Sequence, residues 1–108
     1  MGYNTAGREV DGATFRDALV VVESRAAALA PPPAGSSDIA RAIAEGAMTR
    51  EHVHAELGEL VSGARPGRAD ASQITLNKSV GVAVQDAAAA AMVLENARKT
   101  GVGRTIEL

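Results

Sequence analysis

One run of four apolar residues, Leu19–Val22, limits most strongly what this chain can fold into. The run is β-branched, continuous and flanked by charged residues, which is typical of a strand buried on both faces of a parallel sheet. Such a strand needs parallel neighbours and crossover segments that connect them. No second run of this kind stands in the 108 residues. We therefore expect the partners of this strand to lie upstream of Met1.

The rest of the pattern predicts a mixed α/β chain. Apolar spacing and capping residues predict helices over 12–17, over 25–30, from a cap at Ser37 or Asp38 to Gly46, from Thr49 to Gly63, and over 80–98. Short strands are expected over 74–77 and 105–108.

The helix expected over 80–98 carries the longest apolar stripe of the chain. Its apolar residues recur at spacings of four, three, four and three, and they are Val80, Val84, Ala87, Ala91 and Leu94. The alanine run over 87–91 would let another backbone approach closely. We therefore expect this helix to be mostly buried in any assembled form.

Composition predicts a thin core. Alanine supplies 23 of the 50 hydrophobic residues, and there is one Phe, one Tyr and no Trp. Alanine buries little apolar area, and burial stabilises by only about 25 cal/mol per Å². We therefore expect the isolated chain to be marginally stable or dimeric.

Charge and cysteine content exclude several classes of function. The formal net charge is -2, which gives no reason to expect nucleic acid or a membrane surface as partner. With no Cys and two His, disulfides are excluded and no metal site is expected, and the composition fits a cytoplasmic location. No apolar run approaches the roughly 18 residues of a spanning helix, and the N-terminal residues lack the features of a signal peptide.

Three local patterns have an ordinary structural interpretation. His52 and His54 stand two apart, so on a helix they cannot share a ligand. Glu56 and Glu59 would share one helix face, where paired carboxylates can do acid–base work, but without metal ligands nearby we interpret them as a solvated face. The glycines of 101–103 follow a helix and lack the third glycine of a dinucleotide fingerprint, so we interpret them as a helix stop.

Three segments taken together resemble a known family. In order they read GYNTAGREVD at 2–11, AELGELVSG at 55–63 with PGR at 66–68, and ITLNKSVGVAVQD at 74–86. This is similar to the C-terminal part of the ornithine cyclodeaminase/mu-crystallin family, and the third segment is the most specific. The resemblance runs from about residue 2 to the end of the chain, but family members are much longer.

The resemblance implies an α/β fold in two parts. Residues 1–70 would be the C-terminal part of a Rossmann-type NAD(P) domain, and residues 71–108 a returning strand–helix segment of the substrate and dimerisation domain. The complete fold would bind NAD or NADP and act as a homodimer. This chain lacks the G-x-G-x-x-G fingerprint, so alone it is expected to bind no cofactor and to need its missing N-terminal half.

The chemistry implied by the resemblance is hydride transfer at the α-carbon of a small amino acid or a cyclic imine, as deamination or oxidoreduction. Asn4 stands where the cyclodeaminase branch has its catalytic acid–base Asp, although an amide can only hydrogen-bond. The positions implied to contact the cofactor are Gly2, Asn4, Ser79 and Val80, and the position implied to contact substrate is Gly81.

Two alternatives stay open at this point. The chain could be a small non-catalytic α/β module that self-associates through the helix over 80–98, or one half of a split enzyme. A fingerprint-coding region directly upstream in the DNA would favour a fragment or a split enzyme. Unrelated upstream sequence would favour the module.

Overall fold

A computed structural model of the chain describes residues 7–107 and confirms the α/β class. The elements along the chain are α1 (Gly12–Asp17), β1 (Leu19–Val22), α2 (Arg25–Ala28), α3 (Ser37–Ala44), a 3-10 turn (Arg50–His52), β2 (Val53–Glu56), α4 (Leu57–Val61), β3 (Thr75–Asn77) and α5 (Ala83–Thr100). The three strands form a parallel sheet in the order β2-β1-β3.

The strand β1 lies in the centre of the sheet, so the expectation that its partners lie upstream of Met1 is wrong. Val20 pairs in parallel with Val53 of β2 on one side and with Leu76 of β3 on the other. Both partners are short, and neither is the continuous apolar run that marks a fully buried strand. The strand expected over 74–77 is confirmed as β3, but its pairing with β1 was not predicted, and β2 was missed as a strand.

The prediction of one helix from Thr49 to Gly63 is also wrong. This stretch divides into the 3-10 turn, β2 and α4. The apolar residues Val53, Leu57 and Leu60 have helical spacing, but the first of them is 4% exposed because it pairs with β1. Pairing with a buried strand has overridden the local helical pattern.

Capping residues explain where α1 and α3 begin. Asp11 begins α1 by accepting a 2.7 Å hydrogen bond from the backbone N–H of Thr14, as expected for a helix over 12–17. The cap of α3 is Ser36 rather than Ser37 or Asp38, because the Ser36 hydroxyl accepts from the backbone N–H of Ile39. The carboxylate of Asp38 is engaged elsewhere.

The C-terminal part of the chain contains the expected long helix, but it lacks the strand expected after that helix in the residues that the structure describes. The helix α5 is 18 residues long and ends at Gly101, whose φ of 68° confirms the helix stop. Residues 105–107 form no strand, and Leu108 lies outside the described residues. The expected last strand is therefore wrong for the residues that the structure describes.

The core is as thin as the composition predicts. It joins β1 and β2 to the first three helices, and it consists of Phe15, Ala18, Val20, Val22, Ala28, Ile39, Ala42, Met48 and Val53. None of the residues of α5 is buried, and Val84 and Val93 of that helix are 70% and 67% exposed. Within residues 7–107, no helix is both long and apolar enough to cross a membrane.

Candidate functional site

The carboxyl ends of the three parallel strands meet at one edge of the sheet. The strand β3 lies on the opposite side of β1 from β2. In open α/β sheets, ligands bind in the crevice outside the carboxyl ends, where neighbouring strands connect in different directions. The segments that follow β1 and β3 at this edge begin with Glu23 and Lys78. This edge is therefore the candidate site.

The turn at 79–81, between β3 and α5, presents backbone donors at this edge. The N–H groups of Val80 and Gly81 each lie 3.4 Å from a carboxylate oxygen of Glu23. The Gly81 N–H also lies 3.2 Å from the hydroxyl of Ser79. Distances of 3.4 Å are long for hydrogen bonds, so Glu23 holds these two donors only weakly.

Gly81 gives this turn both its shape and an open space. Its φ is 82°, a left-handed backbone conformation that residues other than glycine rarely adopt. A Cβ atom built at Gly81 would have no heavy atom within 4 Å. A ligand can therefore approach the backbone here without meeting a side chain.

Lys78, directly before this turn, is a buried cation. Its side chain is 9% exposed, and its Nζ lies 2.6 Å from a Glu9 carboxylate oxygen and 2.9 Å from Asp38 Oδ2. The side chain of Asp38 is 2% exposed. Burial acts to lower the pKa of Lys78, but the hydrogen bonds with Glu9 and Asp38 outweigh it and raise that pKa above its ordinary value. Lys78 is therefore an ammonium ion at neutral pH.

The sequence did not single out this lysine. Glu9 stands 69 residues before Lys78, so no local spacing connects the three charges. One usable signal was a lysine placed directly after a strand and directly before the Ser-Val-Gly segment of the most specific motif.

Glu56 and Glu59 hold the fold together rather than forming the expected solvated face. Glu56 ends β2 and precedes α4, and its carboxylate accepts a 2.7 Å bond from the backbone N–H of Arg25. Glu59 accepts from the backbone N–H of Glu56 at 2.7 Å and from the Arg25 guanidinium at 2.8 Å. The hydrogen bond from the backbone N–H of Glu56 is the largest cause that lowers the pKa of Glu59, and the hydrogen bond from the Arg25 side chain lowers it further. Both carboxylates are therefore committed to structure.

The remaining candidates do not add to the site. His52 and His54 each bond a backbone carbonyl, that of Ala18 at 3.1 Å and that of Pro66 at 2.8 Å. Among residues 7–107 no group of three His, Asp or Glu side chains could hold a metal ion. Gly2 and Asn4 lie outside the described residues. The structure thus describes three of the expected site residues, and these are consecutive in one turn: Ser79, Val80 and Gly81.

Comparison with known proteins agrees with the resemblance seen in the sequence. Residues 4–101 match the model of the ornithine cyclodeaminase/mu-crystallin family. A Δ1-pyrroline-2-carboxylate reductase of Bacillus thuringiensis subsp. konkukian is 43% identical over 88 residues, which are 82% of this chain and 26% of that protein. The chain thus spans about a quarter of the length of this relative.

Solved structures give the same pattern of similarity. The Δ1-pyrroline-2-carboxylate reductase of Thermococcus litoralis, in complex with NADH and L-proline, superposes with a TM-score of 0.80 and 39% identity. An archaeal alanine dehydrogenase dimer with bound NAD gives a TM-score of 0.72 and 34% identity. In both comparisons the match covers 94% of this chain and 30% of the other chain.

Proposed function

Because this chain belongs to the ornithine cyclodeaminase/mu-crystallin family, we propose that it is the C-terminal part of an NAD(P)-dependent oxidoreductase. The complete enzyme would act at the α-carbon of a small amino acid or a cyclic imine, and this chain alone would be inactive. The observation that carries the proposal is the open turn at 79–81, at the sheet edge where ligands bind in such folds. Support also comes from the similar reductase, which was solved with NADH and L-proline.

The residues of the turn fit a nicotinamide in their chemistry. The N–H groups of Val80 and Gly81, which Glu23 holds only weakly, would donate to an acceptor on the cofactor, and Ser79 would complete the wall of the nicotinamide site. Gly81, with no side chain, would leave room for the substrate beside it. When bound, the nicotinamide supplies or accepts the hydride. Gly2 and Asn4 stay predicted cofactor contacts, and the Asn4 amide would orient a ligand without transferring a proton.

The division at residue 70 stays part of this proposal. Residues 1–70 would complete the Rossmann-type domain, and residues 71–108 would return to the substrate and dimerisation domain. Because β3 pairs with β1, the strand of the returning segment lies in the same sheet as a strand of residues 1–70, and the helix of that segment is α5.

For the partner we propose a second copy of the complete protein or the missing N-terminal part. The exposed apolar side chains of α5 would be covered in that assembly, and they are Val84, Met92, Val93 and Leu94. The similar alanine dehydrogenase was solved as a dimer. We propose neither a nucleic acid nor a membrane as partner, and we propose a cytoplasmic location.

A chimera tests the proposed activity. The stretch of the Thermococcus litoralis reductase that this chain matches is replaced by the 108 residues, and oxidation of NADH is followed with Δ1-pyrroline-2-carboxylate. We expect turnover by the chimera, and neither turnover nor saturable NAD(P)H binding by the chain alone. Gly81→Ala should lower kcat/KM of the chimera at least about tenfold, or about 1.4 kcal/mol, because it strains the turn and fills the open space.

Gly46 provides a matched control for that substitution. It also has a positive φ, 72°, and open space around a built Cβ, but it follows α3 rather than β3. Gly46→Ala should cost stability without a tenfold loss of kcat/KM. A chimera that leaves NADH unoxidised, or equal losses in the two variants, would contradict the proposed function.

The proposed partner contact makes Ala91 a sensitive position. Ala91 is exposed on this chain, so Ala91→Leu has room in a monomer but would overpack a covered α5, at about 1–3 kcal/mol. We expect the chimera that carries Ala91→Leu to have a lower Tm and to assemble more weakly in sedimentation velocity. Ala44→Leu, at the exposed end of α3, is the control. If Ala91→Leu changes neither the Tm nor the oligomeric state, α5 is not an interface.

Assembly by the isolated chain without NADH turnover in the chimera would favour the self-association module.

A further inference from the structure

The buried ammonium of Lys78 joins three segments that are far apart in the sequence. Lys78 follows β3, Asp38 lies in the first turn of α3, and Glu9 lies in the loop before α1. Asp38 contacts both other segments, because one of its oxygens meets Lys78 Nζ at 2.9 Å and the other accepts from the backbone N–H of Glu9 at 3.2 Å. The side chains of Lys78 and Asp38 are almost inaccessible to water.

One of these segments adjoins the proposed site, and the prediction for Asn4 would bring a second one to it. The Lys78 backbone N–H donates to the Val21 carbonyl at 3.0 Å, and this bond continues the β1–β3 pairing to the start of the turn at 79–81. Glu9 lies five positions after Asn4, in the same N-terminal segment. The strand end at the proposed site and the loop that contains Glu9 are thus connected through one buried cation.

We propose that Lys78 is a positioning residue, which fixes the turn at 79–81 and the loop around Glu9 relative to each other through Asp38. The inference rests on the proposed function, because it is there that the turn becomes the wall of the nicotinamide site. Lys78 has no role in the chemistry itself. In a site of this kind, small displacements of a supporting group lower the rate strongly, so a buried charge pair is an effective support.

Amide hydrogen exchange of the 108-residue chain, measured by NMR at neutral pH, tests this. Glu9→Gln removes one negative charge without changing the shape of the side chain. We expect the exchange of the Glu9 and Lys78 amides to rise about tenfold, while the amides of Val20 and Val53 in the sheet change less than twofold. A purely structural role would instead raise exchange throughout the sheet by a similar factor.

Glu45→Gln is the matched control, because Glu45 forms an ion pair of similar length, 2.7 Å, with Arg8 of the same loop. It should leave the Lys78 amide unchanged. Lys78→Arg should retain protection of the Glu9 amide, and Lys78→Gln should lose it. Equal effects of the two glutamate variants, equal effects of the two lysine variants, or a uniform change across the sheet in Glu9→Gln would overturn the inference. The measurement needs no cofactor, so an inactive chimera and a failed exchange result are distinguishable.

Discussion

Phe15→Ala should lower the free energy of unfolding by about 3–5 kcal/mol, the usual cost of removing a buried aromatic side chain. Phe15 is the one Phe of the chain, and its side chain is fully buried among valines, alanines and Ile39. The surrounding side chains relax only partly into such a cavity. Domains of this size are stable by only about 5–15 kcal/mol, so the loss is a large fraction of the total.

Urea unfolding followed by circular dichroism measures this loss. Val61→Ala is the control, since Val61 is 83% exposed and its truncation should change the unfolding free energy by less than about 0.5 kcal/mol. Similar losses in the two variants would mean that the packing around α1 contributes little to stability.

Lys78→Met should also cost about 3–5 kcal/mol at neutral pH, because it leaves the buried carboxylate of Asp38 without its cation. The pH dependence gives a second signature. The folded-state pKa of Lys78 is raised, so its contribution is complete below the unfolded pKa of about 10.4 and is lost as the pH rises through the higher folded value. The wild type should therefore lose stability at alkaline pH, and the Met variant should lose less.

Lys99→Met separates the effect of burial from that of charge. Lys99 pairs with Glu95 on the surface of α5, where its side chain is 66% exposed. We expect a change below about 1 kcal/mol and an alkaline loss like that of the wild type. If Lys99→Met and Lys78→Met have the same effect, then the buried cluster adds nothing beyond a surface ion pair.

The sequence predicts those elements whose local signal agrees with their tertiary role. The strand Leu19–Val22 and the helix Gly12–Asp17 were predicted with their bounds, since a continuous β-branched run and an Asp cap have few other interpretations. The strand Val53–Glu56 was missed because its four residues extend a helical spacing, and only pairing with β1 makes them a strand.

The site divides in the same way. Ser79, Val80 and Gly81 were found through a motif of neighbouring residues, and the structure adds the positive φ and the open space at Gly81. The cluster around Lys78 could not be found, because charges that meet only after folding leave no periodic trace in the sequence. The same holds for Glu56, which the sequence presents as one face of a helix but which bonds the N-terminus of α2.

The central position of β1 has a consequence for the order in which the chain is made. Leu19 and Thr75 are neighbours in the sheet, although more than half of the chain separates them. A ribosome releases the valine-rich strand well before β3, and one edge of this strand stays open until β3 emerges. Contacts between distant residues form slowly, and an unpaired apolar edge invites aggregation during that delay. The central strand β1 needs two partners, and one of its edges therefore stays exposed until β3 has been synthesised.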